Sequence, residues 1–472
     1  MVFNSSNSEC DISWKNIKKN IVGYDMKVPI LDGCHVRYIN FDNAASTPVL
    51  KPVLDKVNEL MLWYSNIHRG TGFKSQLSSH MYDQSREIVA RFVNVDLEDH
   101  TIIFGKNATE AINKLAHRLP IAADQIILVS KMEHHSNDLP WRARTKVMHI
   151  EIDEQGRLDE RDLIAHLEKY HVALFAVTGA SNVSGWINDV HHLAEICHRF
   201  DVPIMVDAAQ LVPHRKVDMR SPDDPGHIDF LAFSAHKIYA PFGTGVLIGN
   251  KEVFAEGDPD FVGGGTVDIV SLDYTYWTDL PEKEEAGTPN IVGVIALAKA
   301  LLVMEELGMN KVAEHESQLT SYALKHMRGI PGMHIYGGSD PQLVENRLGV
   351  ISFNIDHLPN ALVAAILNYE RGIGVRNGCF CAHPYIKCLL NITDEESQQL
   401  ENKILRHDRS DLPGAARISF GIYNDEAEID ACVELLHKIA RKEWQGEYVP
   451  DKITGEYRLK GVEYKYSDYL KF

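Results

Sequence analysis

The chain has 472 residues and a formal net charge of −18, from 48 Lys and Arg against 66 Asp and Glu. Such an excess of acid argues against a nucleic-acid surface, which needs clustered cations to neutralise phosphates. With 44% hydrophobic and 24% charged residues the composition is that of a globular protein, which excludes a disordered chain, a collagen and a coiled coil. At roughly 150 residues per domain the length allows about three units, or one large α/β domain with a smaller companion.

The N-terminal stretch from Met1 to Asp11 is polar, so no signal peptide is expected there. The longest apolar run, Ile291 to Met304, contains Lys299 and falls short of the roughly 18 residues a membrane span needs. Seven cysteines in so long a chain make no disulfide framework, and a reducing, cytoplasmic setting is expected. Strands are expected at Thr101–Phe104, Gln125–Ser130, Val172–Val177, Pro203–Asp207, Asp229–Phe233 and Gly245–Gly249. Helical patterns lie between them at Ala108–Leu119, Asp159–Lys169 and Asp189–Phe200. Apolar strands alternating with helices predict a mainly parallel sheet covered on both faces, with its chemistry at the carboxyl ends of the strands.

After Ala286-Gly287-Thr288-Pro289 the pattern changes to long helices (Asn290–Leu307, Lys311–Met327). Strands near Met333–Tyr336 and Gly349–Asn354, a helix at Asn360–Asn368, a strand ending near Arg376 and another at Ala415–Phe420 follow. A last helix is expected at Asp425–Lys442. The organisation predicted is an N-terminal segment (1–35) that joins the small domain, a large α/β domain (36–288), a small α+β domain (289–442) and a tail (443–472). Residues 391–412 read as a helix with a surface loop, and the Tyr- and Lys-rich tail as an arm packed on its own or a neighbouring subunit.

Several segments carry candidate chemistry, each with a plainer alternative. Lys237 follows an apolar strand in apolar company, where lost solvation lowers an amine's pKa and makes it a nucleophile; it also fits a surface Lys with its stem on apolar neighbours. Asp207, at a strand's carboxyl end three residues before Gln210, suits a protonated ring nitrogen with Gln210 donating to a ring oxygen, or a helix N-cap. Lys106 to Ala111, with Thr109, opens a helix and can hold a phosphate or be an ordinary cap. His134 can stack on a planar ring; a metal there lacks partners at ligand spacing, and no metal site is predicted. Arg376 to Pro384 holds Cys379 and Cys381, which share a face with His383 if the segment is extended. That pair fits a nucleophilic thiol, part of a zinc site, or buried small residues.

Taken together and in order, these segments resemble the class V aminotransferase family of fold-type I pyridoxal-phosphate enzymes, most closely its cysteine desulfurase and selenocysteine lyase branch. The resemblance runs from about Tyr38 to Leu436. It includes Phe41 to Ser46, His68-Arg69-Gly70, the His134 segment, Ser181 to Gly185, Val206 to Gln210, Ser234 to Lys237, Ala286 to Asn290, Arg376 to Pro384 and Ala416 to Ser419. It implies pyridoxal 5'-phosphate held covalently by Lys237 as an internal aldimine, with Asp207 on the ring nitrogen and His134 stacked on the ring. Gln210 and Asn182 sit near the ring oxygen, and Thr109, Ser234 and His236 take the phosphate. Thr288 reaches the phosphate from a second subunit, which implies a homodimer. Arg417 clamps the substrate carboxylate, while Asn43, His68, Arg69 and Arg376 line the substrate side. Cys381 falls on the nucleophile that takes sulfur from L-cysteine as a persulfide, leaving alanine, with an acceptor protein to follow. The resemblance also allows another family reaction, such as transamination, C–S lysis or epimerisation, in which the two cysteines are structural. The departures are Asn107-Ala108 before Thr109, the extra Cys379, a long segment from Tyr385 to Pro413, and the tail.

Overall fold

The structure is a computed structural model that describes residues 12–68, 70–410 and 412–471. Its centre is a seven-stranded sheet of β1 (His100–Gly105), β2 (Ile126–Ser130), β3 (Val147–Ile150), β4 (Val172–Thr178), β5 (Ile204–Asp207), β6 (Phe230–Ser234) and β7 (Gly245–Asn250), in the order β1-β7-β6-β5-β4-β2-β3. Strands β2 to β6 pair in parallel, and β7 runs antiparallel to both β6 and β1. Each apolar run read from the sequence forms a strand within about a residue of its expected bounds. The half-buried edge strand β3 has no comparable continuous apolar run, and the sequence reading passes over it.

The strands are continuous apolar runs because both faces are covered. Ile102, Leu128, Val177, Val206 and Ile248 turn to one face, where they share a core with Val294, Leu297 and Leu301. Their neighbours Ile103, Ile127, Ala176, Met205 and Leu247 turn to the other and pack with Ile112 and Leu115. The period of two thus sorts one strand's side chains into two cores. Helices α1 (Lys51–Trp63) and α2 (Phe73–Phe92) flank the first core, and α3 (Ala108–Arg118), α4 (Glu160–Lys169) and α5 (Val190–His198) connect strands. Helix α6 (Ile291–Leu307) packs on α1 and α2 and buries residues all around its circumference, which explains its unbroken apolar sequence. No helix among the described residues is long and apolar enough to cross a membrane.

Helix α7 (Met309–Met327) leads to a second, four-stranded antiparallel sheet: β8 (Met333–Tyr336), β9 (Val350–Ile355), β10 (Arg376–Gly378) and β11 (Ala415–Ser419), in the order β8-β9-β11-β10. It shares a core with α8 (Asn360–Arg371) and with the C-terminal helix Glu426–Ala440. Between β10 and β11 come α9 (His383–Leu389) and α10 (Asp394–Leu405). A capping box of Thr393 and Glu396 starts α10, which buries none of its residues. The tail forms a hairpin, Tyr448–Pro450 with Tyr457–Leu459, against α8 of the same chain. The Tyr464 ring stacks on Tyr369 there at 5.8 Å.

Candidate functional site

Five carboxyl-terminal strand ends converge. β1 ends at Gly105 and hands over to α3, β2 ends at Ser130, β4 at Thr178, β5 at Asp207 and β6 at Ser234. Gly245 of β7 makes one of these junctions possible. A Cβ there would lie 2.3 to 2.5 Å from the backbone of Asn107, so only glycine lets the strand pass beside the start of α3. The result is a cavity of about 240 Å³ lined by Thr109, His134, Asn182, Asp207, Gln210, Ser234, His236, Lys237, Arg376, Cys381 and Arg417 among others. Eleven of the residues singled out in the sequence therefore share one pocket.

Its floor is ionisable, with Asp207 buried and His134, His236 and Lys237 half-buried. Burial raises the Asp207 carboxyl above its ordinary range, against the pull of nearby Lys237 and of a hydrogen bond from the Ala209 amide (3.0 Å). Burial lowers the Lys237 ammonium; Asp207 works against that shift and Arg417 with it. An amine in this setting is more readily the free base that forms a Schiff base. His134 is brought down to about 4, first by burial and then by Lys237. Its Nδ1 accepts from the Ser136 amide at 3.1 Å, so the neutral ring carries its proton on Nε2. His236, beside Lys237, falls to about 4 for the same two reasons.

At the head of α3, Asn107 caps by accepting from the Glu110 amide (3.0 Å), the Ala108 amide donates to Ser234 Oγ (2.8 Å), and the Thr109 and Ser136 hydroxyls lie 2.7 Å apart. The positive end of a helix together with hydroxyl donors suits a phosphate. The expected phosphate residues Thr109, Ser234 and His236 thus stand together.

The opposite wall comes from the antiparallel sheet. Arg417 on β11 is 2% exposed; it donates to Asn182 O (2.9 Å) and to Asp42 Oδ1 (2.8 Å), and its Nε has no partner. Burial lowers its pKa while Asp42 works to raise it. Arg376 stands directly opposite it across the β10–β11 ladder. Like charges facing each other across strands repel, and a carboxylate between them relieves that repulsion.

Cys381 sits on a tight turn rather than on an extended segment. Phe380 and Cys381 have φ of 52° and 55°, the left-handed region that costs an L-residue roughly 1–2 kcal/mol each. The turn is pinned three ways: Asn182 Nδ2 donates to Phe380 O (2.8 Å), the His135 amide to Cys381 O (2.7 Å), and the Ala382 amide to Cys379 O (2.9 Å). The Phe380 ring lies under the Arg417 guanidinium at 4.8 Å. Cys379, Cys381 and His383 consequently do not share a face. Cys381 is exposed at the pocket, whereas Cys379 is half-buried, donates to Pro413 O (3.1 Å), and has its thiol pushed up to about 11 by burial. His383 instead stacks on His135, with ring centroids 4.7 Å apart.

Other expected residues stand differently toward the pocket. Gln210 lines the pocket; its Nε2 donates one hydrogen bond to Ala44 O (2.7 Å), and its Oε1 is buried and unpartnered. Asn182 spends its Nδ2 on the cysteine turn. Asn43 is 1% exposed and sealed behind the wall, donating to Asn40 O, Ser419 O and Asn424 Oδ1 and accepting from Tyr423; it braces the wall and does not line the pocket. His68 is also outside the lining, edge-on to Tyr82 at 5.9 Å, and Arg69 lies outside the described residues. Thr288 is exposed in a separate cavity of about 570 Å³ with Gly243 and Lys106.

Two acids without an assigned role in the sequence reading shape the site. Asp42 pairs with Arg417. Glu133, beside His134, is raised to about 8 by burial, which outweighs hydrogen bonds from Ser130, Asn137 and the Thr178 amide. Its position directly before the two histidines was visible, but its burial was not.

Residues 39–432 match the family model described as aminotransferase class-V. A probable cysteine desulfurase of Halalkalibacterium halodurans is 33% identical over 87% of this chain and 95% of its own length. One from Pyrococcus abyssi is 35% identical over 85% of the chain and 94% of its own. Among solved structures, the apo cysteine desulfurase of Thermococcus onnurineus superposes with a TM-score of 0.78 at 32% identity, covering 91% of this chain and 98% of that one. The S-sulfonic acid form of an Escherichia coli cysteine desulfurase gives 0.71 at 27% identity, covering 86% and 96%.

Proposed function

The chain belongs to the aminotransferase class-V family, a family of pyridoxal-phosphate enzymes, and we propose that it is a cysteine desulfurase that converts L-cysteine to L-alanine and keeps the sulfur as a persulfide on Cys381. The residues present fit the cofactor. A buried carboxylate (Asp207), an amine depressed by burial (Lys237), a neutral imidazole (His134) and a helix start with hydroxyls (Thr109, Ser136) suit a planar pyridine bearing an aldehyde and a phosphate. When bound, that group supplies an electron sink for negative charge at the substrate's α-carbon.

The chain's own residues supply the rest. Arg417, with Arg376 facing it, holds the substrate carboxylate, and the pair's mutual repulsion falls as that charge arrives. Lys237, whose ammonium burial lowers, moves the α-proton. Cys381 Sγ attacks the substrate sulfur: the new S–S bond forms as the Cβ–S bond breaks, and the electron pair left on Cβ is protonated to the methyl group of alanine. A thiol and cysteine become a persulfide and alanine, with no outside oxidant. The observation that carries this reading is that Cys381 and not Cys379 lies in one pocket with Lys237 and Arg417.

The second subunit enters through Thr288. It lies exposed in a cavity away from its own pocket, and the neighbouring hairpin Val267–Trp277 exposes Ile269, Val270, Leu272 and Tyr276. Both features support a homodimer in which Thr288 completes the phosphate site of the partner. The six described cysteines are unpaired, which supports a reducing, cytoplasmic compartment. The exposed turn at Cys381 supports transfer of its sulfur to an acceptor protein.

The test is product analysis with L-cysteine as the only substrate. Alanine released with one protein-bound sulfane sulfur per active site is expected. Pyruvate and free sulfide, or a keto acid, would reassign the enzyme to the lyase or transaminase members of the family.

A further inference from the structure

The opposite, amino-terminal edge of the large sheet carries a second polar cluster that the proposed reaction does not use. His198 ends α5, and His227 and Asp229 lie in the loop that enters β6. His198 Nε2 is 2.9 Å from Asp229 Oδ2, His227 Nε2 is 3.4 Å from Asp229 Oδ1, and the ligand atoms of all three lie within 4.8 Å of one another. The imidazole rings stack with centroids 4.2 Å apart.

The hydrogen bonds on the far side of each ring decide what those Nε2 atoms present. His198 Nδ1 is 2.7 Å from Pro225 O, and His227 Nδ1 is 2.7 Å from Asp224 O. A carbonyl oxygen only accepts, so both Nδ1 atoms carry hydrogen. In the neutral rings both Nε2 atoms therefore aim lone pairs at a carboxylate, which is repulsive unless a positive charge lies between them. A proton on one Nε2 alone still leaves the other lone pair against the carboxylate, and protons on both would make two stacked imidazolium rings at 4.2 Å, which also repel. One divalent cation satisfies all three groups together. The Asp229 carboxylate is held in place by the Ile204 amide (2.8 Å), and backbone carbonyls behind both rings are the usual outer shell of metal-binding histidines.

We propose that His198, His227 and Asp229 form a site for one borderline divalent cation of the zinc type, with water as fourth ligand. Tetrahedral zinc at about 2.0–2.1 Å from each ligand spaces ligand atoms about 3.3 Å apart, beside the 2.9 Å and 3.4 Å that separate the two histidine nitrogens from the Asp229 oxygens they face. The side chains are 17%, 18% and 17% exposed, which leaves solvent access for the water. The site lies at the start of β6 and beside the start of β5, while Ser234 and Asp207 close the other ends of those strands. The ion is thus a clamp between α5, the 222–229 loop and the sheet, remote from the pocket chemistry.

Equilibrium dialysis of the cofactor-loaded enzyme against Zn2+, followed by elemental analysis, reads the site directly. One equivalent is expected that persists in C379S/C381S and is weakened more than about 100-fold in H227Q, since losing even outer-shell partners costs about 10–100-fold. Zinc should also raise the thermal midpoint of the unsubstituted protein and leave that of H227Q unmoved. Should H227Q fail to fold, Co2+ on the unsubstituted protein decides: tetrahedral d–d bands without a thiolate charge-transfer band are expected. No bound equivalent, one lost with the cysteines but kept in H227Q, or a thiolate band would overturn the proposal.

Discussion

The floor of the pocket and the turn that carries Cys381 obey opposite rules. On the floor, Asp207, Lys237 and His134 are placed by strand ends, and burial moves each pKa toward the neutral form. At the turn the thiol is exposed, two residues take left-handed φ, and only the backbone is pinned. The difference matches two tasks. Fixed charges in a dry site stabilise charge that develops on a bound cofactor, whereas a sulfur carrier has to reach both the pocket and an outside acceptor. The floor therefore depends on several side chains held together, and the turn on one side chain and a few backbone contacts.

The largest effect is expected on the floor. Lys237→Ala removes both the proposed proton-moving amine and the proposed covalent anchor. Turnover should fall by at least about 10⁴-fold, and borohydride should no longer fix the cofactor to the chain, as read by peptide mass analysis. An unchanged adduct would show that a different lysine is the anchor. Next comes the wall: Arg417→Ala should weaken substrate binding by about 2–5 kcal/mol, because the change also leaves Asp42 without its partner. This would be read as a rise in KM for L-cysteine with the cofactor still bound. A KM within twofold of the original would move the carboxylate site to Arg376.

Cys379→Ser sharpens the comparison from the other side. With its thiol raised to about 11, Cys379 is a poor source of thiolate near neutrality, so the substitution should change persulfide yield by less than about twofold. A large loss would make it a sulfur relay. The smallest effect is on stability against pH. The imidazoles of His134 and His236 have folded values of about 4 against an ordinary 6.5. Between those values the unfolded chain binds more protons, so their contribution is complete above about pH 6.5 and is lost as pH falls toward 4. Thermal midpoints of the cofactor-free protein should fall through that window, and less steeply in H134Q. A parallel fall in both would assign the slope to other groups.

The sheet was legible because both of its faces are covered, which turns its strands into unbroken apolar runs such as Ile204–Val206. The pocket was legible because strand ends collect chemistry: Asp207, Ser234 and Thr109 are each at or beside such an end. What the sequence hid was orientation. Nothing in the letters of Asn43 or Gln210 says that their amides donate to Ser419 O and Ala44 O. The turn at Phe380 and Cys381 was hidden too, since left-handed backbone at non-glycine residues has no sequence mark. The likeness of Cys379 and Cys381 in sequence concealed their opposite burial. His198 and Asp229 are far apart in the chain, and only the fold makes them neighbours.

The separation of floor from turn is tested most directly by exposing C381A to L-cysteine in a single turnover, then reading intact mass and visible absorbance on the same sample. The account predicts that the variant keeps the full absorbance of bound pyridoxal phosphate and gains no sulfur, while the unsubstituted protein gains the mass of one sulfur atom. A variant that still gains sulfur, or that loses its cofactor, would contradict it.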